Sequence, residues 1–249
     1  MDGIIEPATE SLDDLLLGGY KIIQPKKGYR FAIDAVLLAH FPELATCRQA
    51  VDLGTGGGII PVILSYRCPG LKIVGVEIQH SMAERAKRSI KYNSLESTVD
   101  IKLGDIKEIH KYLPSEQADL VTCNPPFWRK GDGKLNLNEE ICGARHEIWA
   151  ELNDFIKAAE YLLRGQGSLY MIQRTERLQE IIERLRENRL SLLTLRLVHS
   201  FSDKKAALVM LRASKGDIRR PLTVEPPLII YSAPGIYGDE VLRYYARRQ

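Results

Sequence analysis

The stretch "VDLGTGGGI", Val51 to Ile59, passes from a short apolar run into an apolar helix pattern through four glycines: Gly54, Gly56, Gly57 and Gly58. Glycine lets a backbone turn tightly out of a strand and come close to a ligand. Such a turn can bind a nucleotide-bearing molecule or merely pack helix against strand, so its neighbours must decide. "LKIVGVE", Leu71 to Glu77, reads as a second apolar strand. Ser81 to Asn93 follows as a helix with a basic outer face, Val99 to Leu103 as a third strand and Ala118 to Cys123 as a fourth. Leu152, Phe155, Ile156, Ala159 and Leu163 recur at helical spacing. "RGQG" then reads as a turn and "SLYMIQ" as a fifth strand. Leu178, Ile181, Ile182 and Leu185 mark another amphipathic helix, and strand-like segments follow around 190–198 and 206–211. Strands alternating with helices predict an α/β fold, a mostly parallel sheet covered on both faces and wound by right-handed crossovers.

In such a sheet, ligands bind beyond the carboxyl ends of the strands, where the strand order reverses. Gly54, Glu77, Asp105 and Asn124 each lie at or just after a strand end, so the pattern places all four along one edge. A carboxylate at Glu77 can accept two hydrogen bonds from ribose hydroxyls. Asp105 can accept from an exocyclic amine. For both acids the alternative is a helix cap or a first-turn charge. Three marks on three successive strands favour a nucleoside-bearing cofactor. The turn Gly54-Thr55-Gly56-Gly57-Gly58 fits G-x-G-x-G better than the G-x-G-x-x-G of a dinucleotide site.

The fourth strand runs into Asn124-Pro125-Pro126-Phe127. Two residues without a backbone N–H, beside one amide and one ring, are more than a turn requires. The chain has 249 residues, 45% hydrophobic and 27% charged, with net charge +3. That is ordinary for a globular protein and permits a nucleic-acid partner without demanding one. The four cysteines show neither C-x-x-C nor zinc spacing, so no metal is expected. The acidic start "MDGIIEPATESLDD" does not read as a signal peptide, and no apolar run approaches a membrane span; a cytoplasmic protein is expected. Residues 1–249 read as one domain, with an N-terminal extension to about residue 47 that no linker-like composition separates from it.

The run from Asp52 through Gly58, then Glu77, Asp105 and Asn124-Pro125-Pro126-Phe127, resembles a class I S-adenosylmethionine-dependent methyltransferase of the kind that methylates planar nitrogens. "QPKKGYRFAIDAVLLAHF" and "ARHE", Ala144 to Glu147, further resemble the bacterial tRNA(Val) adenine-N6 methyltransferase family. The resemblance covers roughly residues 14–240. It implies a Rossmann-like class I fold with a seven-stranded, mostly parallel sheet, S-adenosyl-L-methionine as cofactor, and tRNA as partner, methylated at the adenine beside the anticodon (position 37). It implies that Gly54 and Gly56 lie against the methionine portion with Asp52 nearby, that Glu77 holds the ribose and that Asp105 reads the cofactor adenine. Arg30 and Asp34 fall in the segment that closes over the cofactor. Arg30 either pairs with the cofactor carboxylate or forms a surface ion pair.

The resemblance also assigns the acceptor chemistry. Asn124 and the Pro125 carbonyl each accept one hydrogen of the target amine, which aims its lone pair at the methyl carbon. Phe127 stacks on the flipped base, a contact worth about 1–3 kcal/mol. The family pattern often carries tyrosine here; stacking survives the change to Phe127 and the ring hydroxyl does not. Residues 128–143 read as a long polar loop in which Arg129, Lys130 and Lys134 are available to phosphates, and Arg145 and Glu147 as fixing its return. The basic tail, Arg243, Arg247 and Arg248, reads as solvation more than RNA contact. Three other functions share parts of this pattern: glutamine-N5 methylation of a protein, guanine-N2 methylation of ribosomal RNA, and a non-catalytic nucleotide- or RNA-binding module. Intact Asn124 and Phe127 argue against the last.

Overall fold

The computed structural model describes residues 4–28, 30–127, 149–216 and 220–245. The expected loop 128–143, the Ala144–Glu147 stretch, and Arg247 and Arg248 lie outside the described residues. The chain opens with a hairpin, β1 (Glu10–Leu17) and β2 (Tyr20–Pro25), and a helix, α1 (Ile33–His40). Strands and helices then alternate: β3 (Gln49–Leu53), α2 (Ile59–Arg67), β4 (Lys72–Glu77), α3 (His80–Tyr92), β5 (Val99–Leu103), a 3-10 turn (Ile106–Lys111) and β6 (Ala118–Cys123). The second half adds α4 (Leu152–Leu162), β7 (Leu163–Arg174), α5 (Leu178–Glu187), β8 (Leu190–His199), β9 (Ala206–Lys215) and β10 (Thr223–Ile229). A small hairpin, β11 (Tyr231–Ala233) with β12 (Ile236–Tyr237), and a short helix, α6 (Asp239–Tyr244), follow.

The main sheet runs β10-β8-β9-β7-β6-β3-β4-β5, with β9 antiparallel to both neighbours and the other pairings parallel. The order reverses between β3 and β6, so the crevice there is where the alternation placed a ligand. Every residue of β6 is buried, as a parallel strand covered on both faces must be. Alternate residues of β7 serve different cores: Leu169 and Met171 face α4 and α5, while Tyr170 and Ile172 join α1, α2 and α3.

One expectation is corrected and one is sharpened. The sheet has eight strands rather than seven, because "TVEPPLI" adds β10 at the edge beside β8. Pro226 and Pro227 are tolerated there because an edge strand leaves one side unpaired, and the pairing slips register across them. "RGQG" keeps its turn character inside β7: the pairing with β6 passes from Leu163 opposite Ala118 to Ser168 opposite Leu120, so 164–167 bulge out of the ladder, with Gln166 at φ +65°.

The N-terminal hairpin is pinned to α3. The Ile23 N–H donates to Ser89 Oγ (3.0 Å), and Asn93 both accepts from the Lys21 N–H (2.9 Å) and donates to the Lys21 carbonyl (2.7 Å). Side chains of a helix thereby satisfy the outer edge of β2. Arg88 adds a bidentate pair to buried Glu10, with both contacts at 2.6 Å. The Arg88 hydrogen bond holds the Glu10 carboxyl below its ordinary range against the opposing effect of burial. Its stabilisation is therefore present above the ordinary glutamate range and is lost as pH falls through the lowered native value. Arg88→Ala leaves Glu10 buried without its partner, so we expect a loss of roughly 2–4 kcal/mol from the hairpin. Hydrogen exchange should show β1 and β2 opening faster while β3 and β6 keep their protection.

Candidate functional site

The turn after β3 holds Gly54, Gly56 and Gly58 at φ +67°, +57° and +85°. This left-handed region strains any residue with a Cβ. At Gly56 a Cβ would also approach Met82 Cε to 3.2 Å. The turn delivers the Gly56 N–H to Glu77 Oε2 (2.8 Å), while the Gln79 N–H reaches Oε1 (2.8 Å). Both oxygens of buried Glu77 are thus tied to backbone, and each retains lone-pair capacity toward the cavity. Burial pushes the Glu77 carboxyl up, and these backbone bonds oppose the shift.

Asp105 accepts from the Lys107 N–H (2.9 Å), capping the 3-10 turn, and still lines the cavity. The capping and ligand readings of Asp105 are therefore compatible. Asp52 faces its register partner Thr122, whose hydroxyl donates to Oδ1 at 2.7 Å. Asp52 Oδ2 is buried without a hydrogen-bond partner, and burial raises the carboxyl to about 7. Asp52 is adjacent to the cavity wall but does not line it.

Asn124 leaves β6 with Nδ2 donating to Asp34 Oδ2 at 2.8 Å. Its Oδ1 is buried and has no partner. Asp34, in the first turn of α1, is buried beneath Ala35, which lines the cavity while Asp34 does not. The Pro125 and Pro126 carbonyls accept long hydrogen bonds from Gln173 Nε2, at 3.4 and 3.2 Å. A carbonyl has two lone pairs, so Pro125 retains one, although Pro126 lines the cavity and Pro125 does not.

The cavity lies between β2, the glycine turn, the ends of β4 and β5, and the exit of β6. Gly54, Gly56, Glu77, Asp105 and Asn124 all line it. Arg30 does not: it pairs with Asp13 and donates to Ser11 Oγ (3.2 Å) and the Pro25 carbonyl (3.1 Å), the surface ion pair that was its alternative. Phe127 is half-buried and is not among the lining residues, because the prolines turn the chain before its ring. The aromatic walls are Phe31, Phe155 and Trp149, a residue 47% exposed. The sequence reading missed Trp149 and Gln173. Gln173 carried a signal, since it closes the apolar run of "SLYMIQ" with an amide, and the fold buries it fully. Trp149 carried none beyond being a ring just ahead of a helix. Among the described residues no group of three or more His, Cys, Asp and Glu could hold a metal, and no helix is long and apolar enough to cross a membrane.

The chain matches the family model described as "Methyltransferase small domain" over residues 34–190. Two curated relatives from strains of Porphyromonas gingivalis are named tRNA1(Val) (adenine(37)-N6)-methyltransferase. One is 28% identical over 90% of each chain; the other is 30% identical over 79% of this chain and 77% of its own. A relative of the same name from Aeromonas hydrophila is 24% identical, over 84% and 86%. Among solved structures, a predicted O-methyltransferase from Agrobacterium tumefaciens superposes with a TM-score of 0.66 at 21% identity, covering 87% of this chain and 99% of its own. A geranyl diphosphate methyltransferase solved with sinefungin superposes at 0.52, with 14% identity over 73% and 77%. These structures share the class I methyltransferase fold, which the doubly wound sheet and its glycine turn reproduce. The chain belongs to the methyltransferase small domain family, in the group that holds the tRNA1(Val) (adenine(37)-N6)-methyltransferases.

Proposed function

We propose that this protein is an S-adenosylmethionine-dependent N-methyltransferase that methylates N6 of an unpaired adenine in tRNA, the substrate named for its relatives being position 37 of tRNA1(Val). The observation that carries the reading is the buried, unpartnered Oδ1 of Asn124 at the wall of the crevice that Glu77 and Asp105 also line. A buried acceptor left unpaired costs free energy and calls for a ligand that donates. An exocyclic amine does so.

The residues present fit the cofactor. Glu77 has acceptor capacity for two ribose hydroxyls, Asp105 can take an adenine amine, and Ile78, Ile106 and Phe155 give the base apolar walls. The Gly54 and Gly56 backbone lines the cavity where the methionine portion would lie, with Asp52 behind them. When bound, S-adenosylmethionine supplies an electrophilic methyl group on a sulfonium. We read residues 1–249 as one domain whose N-terminal extension, to about residue 47, roofs the cofactor side. Ile22, Ile23, Gln24 and Pro25 in the cavity wall support that reading.

The target amine is a poor nucleophile because its lone pair is delocalised into the base. Asn124 Oδ1 accepts one amine hydrogen and the Pro125 carbonyl the other. This draws the nitrogen toward a tetrahedral geometry and points its lone pair into the crevice. The prolines bring no competing N–H to the acceptors. Gln173 holds their carbonyls in place. Phe127 stands just beyond the prolines, where it can stack on a base entering from outside. Alignment of this kind supplies up to ~7–11 kcal/mol in favourable intramolecular systems.

Labelled cofactor supplied with total RNA or with total protein tests the reading. Label should enter RNA and be recovered as N6-methyladenosine; label in protein alone would discard it. Asn124→Ala should lower turnover by about 10²–10³-fold while calorimetry shows unchanged cofactor affinity. Asp52 makes a separate claim on stability. Between the ordinary aspartate value and about 7, the native state holds a proton that the unfolded chain lacks, so stability falls as pH rises through that window. Asp52→Asn keeps an acceptor for Thr122 and removes the ionisation. Relative to the variant, ligand-free wild type should lose on the order of 2–4 kcal/mol between pH 5 and pH 8, read from denaturant melts.

A further inference from the structure

An asparagine amide presents an acceptor on one side and two donors on the other, and only the acceptor can serve a target amine. Rotation by half a turn about the last side-chain bond would put Nδ2 where Oδ1 stands and repel the substrate. Something must fix that choice, and the prolines after Asn124 act on the backbone rather than on the amide. We infer that Asp34 is a positioning residue for methyl transfer: its carboxylate takes Asn124 Nδ2 and so presents Oδ1 to the target amine. The inference rests on the methyl-transfer reading above.

Three features support it. The Asn124 Nδ2 to Asp34 Oδ2 distance is 2.8 Å, and Asp34 is 4% exposed, so water does not compete for the bond. An ionised carboxylate only accepts, so the flipped amide would face it oxygen to oxygen. Asn124 is the side chain whose hydrogen bond holds this carboxylate among the described residues, with the backbone N–H groups of Asp34 and Ala35 adding to it. A cofactor contact is the role its sequence position suggested, yet Ala35 lines the cavity and Asp34 does not. A favourable charge in the first turn of α1 is the plainer alternative. That role needs no buried carboxylate, because an exposed one serves the helix as well. Burial pushes the Asp34 carboxyl up, and the hydrogen bond from Asn124 opposes the shift. Residues 34–39 of α1 are buried and pack on α2 and β7, so the carboxylate is carried on a rigid element. The site is thus assembled from two ends of the fold, with α1 setting the amide that β6 delivers.

The test compares Asp34→Asn, Asn124→Ala and the double variant, reading kcat, KM, cofactor affinity and melting temperature. In Asp34→Asn the introduced amide can offer Asn124 either an oxygen or an NH2, so both orientations of Asn124 become populated. We expect kcat to fall by about ten- to a hundredfold in Asp34→Asn, with cofactor affinity unchanged. That loss should vanish in the Asn124→Ala background, since the two residues act as a unit. A purely structural role would lower activity equally in both backgrounds and would overturn the inference. So would weakened cofactor affinity in Asp34→Asn, which would return Asp34 to the cofactor site. Full activity of Asp34→Asn beside an inactive Asn124→Ala would overturn the inference and leave the methyl-transfer reading standing. Full activity of Asn124→Ala would remove that reading itself. A measurement on the wild type is independent of how the variants fold. The Asn124 side-chain NH2 signals, assigned by their loss in Asn124→Ala, should show one proton shifted downfield and slowed in exchange by the carboxylate. Two equivalent, fast-exchanging protons would overturn the inference.

Discussion

The parallel pairing of β3 with β6 is the constraint on which the site depends. Asp52 and Thr122 meet in register and share a hydrogen bond of 2.7 Å in the middle of the sheet. A one-residue slip would turn every side chain of β6 to the opposite face. Because the register holds, both strands end together, and the residues that follow them are Gly54 and Asn124. The donor half and the acceptor half of the crevice therefore start side by side. Everything else in the site is added around that seam: Glu77 and Asp105 from the outer strands, α1 and β2 from above.

The seam is polar where a core should be apolar. Asp52, Glu77 and Asp34 are all buried beside one crevice. Each is held by a different device: Asp52 by the Thr122 hydroxyl, Glu77 by backbone N–H groups of the glycine turn and Gln79, Asp34 by the Asn124 amide. Burial raises all three carboxyls, so the ligand-free fold carries a cost that a cationic or donor-rich ligand relieves. Clusters of this kind mark functional sites more than structural ones. They also depart locally from the rule that a core satisfies its own polar groups, and the long apolar strands around them offset the departure.

Much of this was legible before any coordinates. The alternation of apolar strands with helical periodicity identified the doubly wound sheet, and each strand end carried a residue whose chemistry could be read: Gly54, Glu77, Asp105, Asn124. The eighth strand was legible only in part: "PLIIY", residues 227–231, reads as strand-like, but the prolines in "TVEPPLI" argue against a strand except at an edge, and edges are not visible in a linear pattern. Arg30 could be given two roles, and only the neighbouring strand β1, through Asp13, chose between them. Asp34 was placed near the cofactor by its segment. Its partner lies 90 residues away, a distance that periodicity does not span. Trp149 was overlooked for the same reason, and Gln173 showed its polarity in the sequence but not the proline carbonyls it faces.

The sequence by itself determined the class of fold, the edge of the sheet where a ligand binds, and the chemical type of each residue at that edge. These follow from local rules, namely side-chain period, glycine torsions and the missing N–H of proline, which act over a few residues. The tertiary structure decided which atom of each residue is free to act. Glu77 keeps lone pairs because the Gly56 N–H takes only one from Oε2 and the Gln79 N–H only one from Oε1. Asn124 shows its oxygen rather than its nitrogen because α1 brings Asp34 to its other side. Which lone pair remains open depends on partners distant in the chain, and only packing brings those partners together.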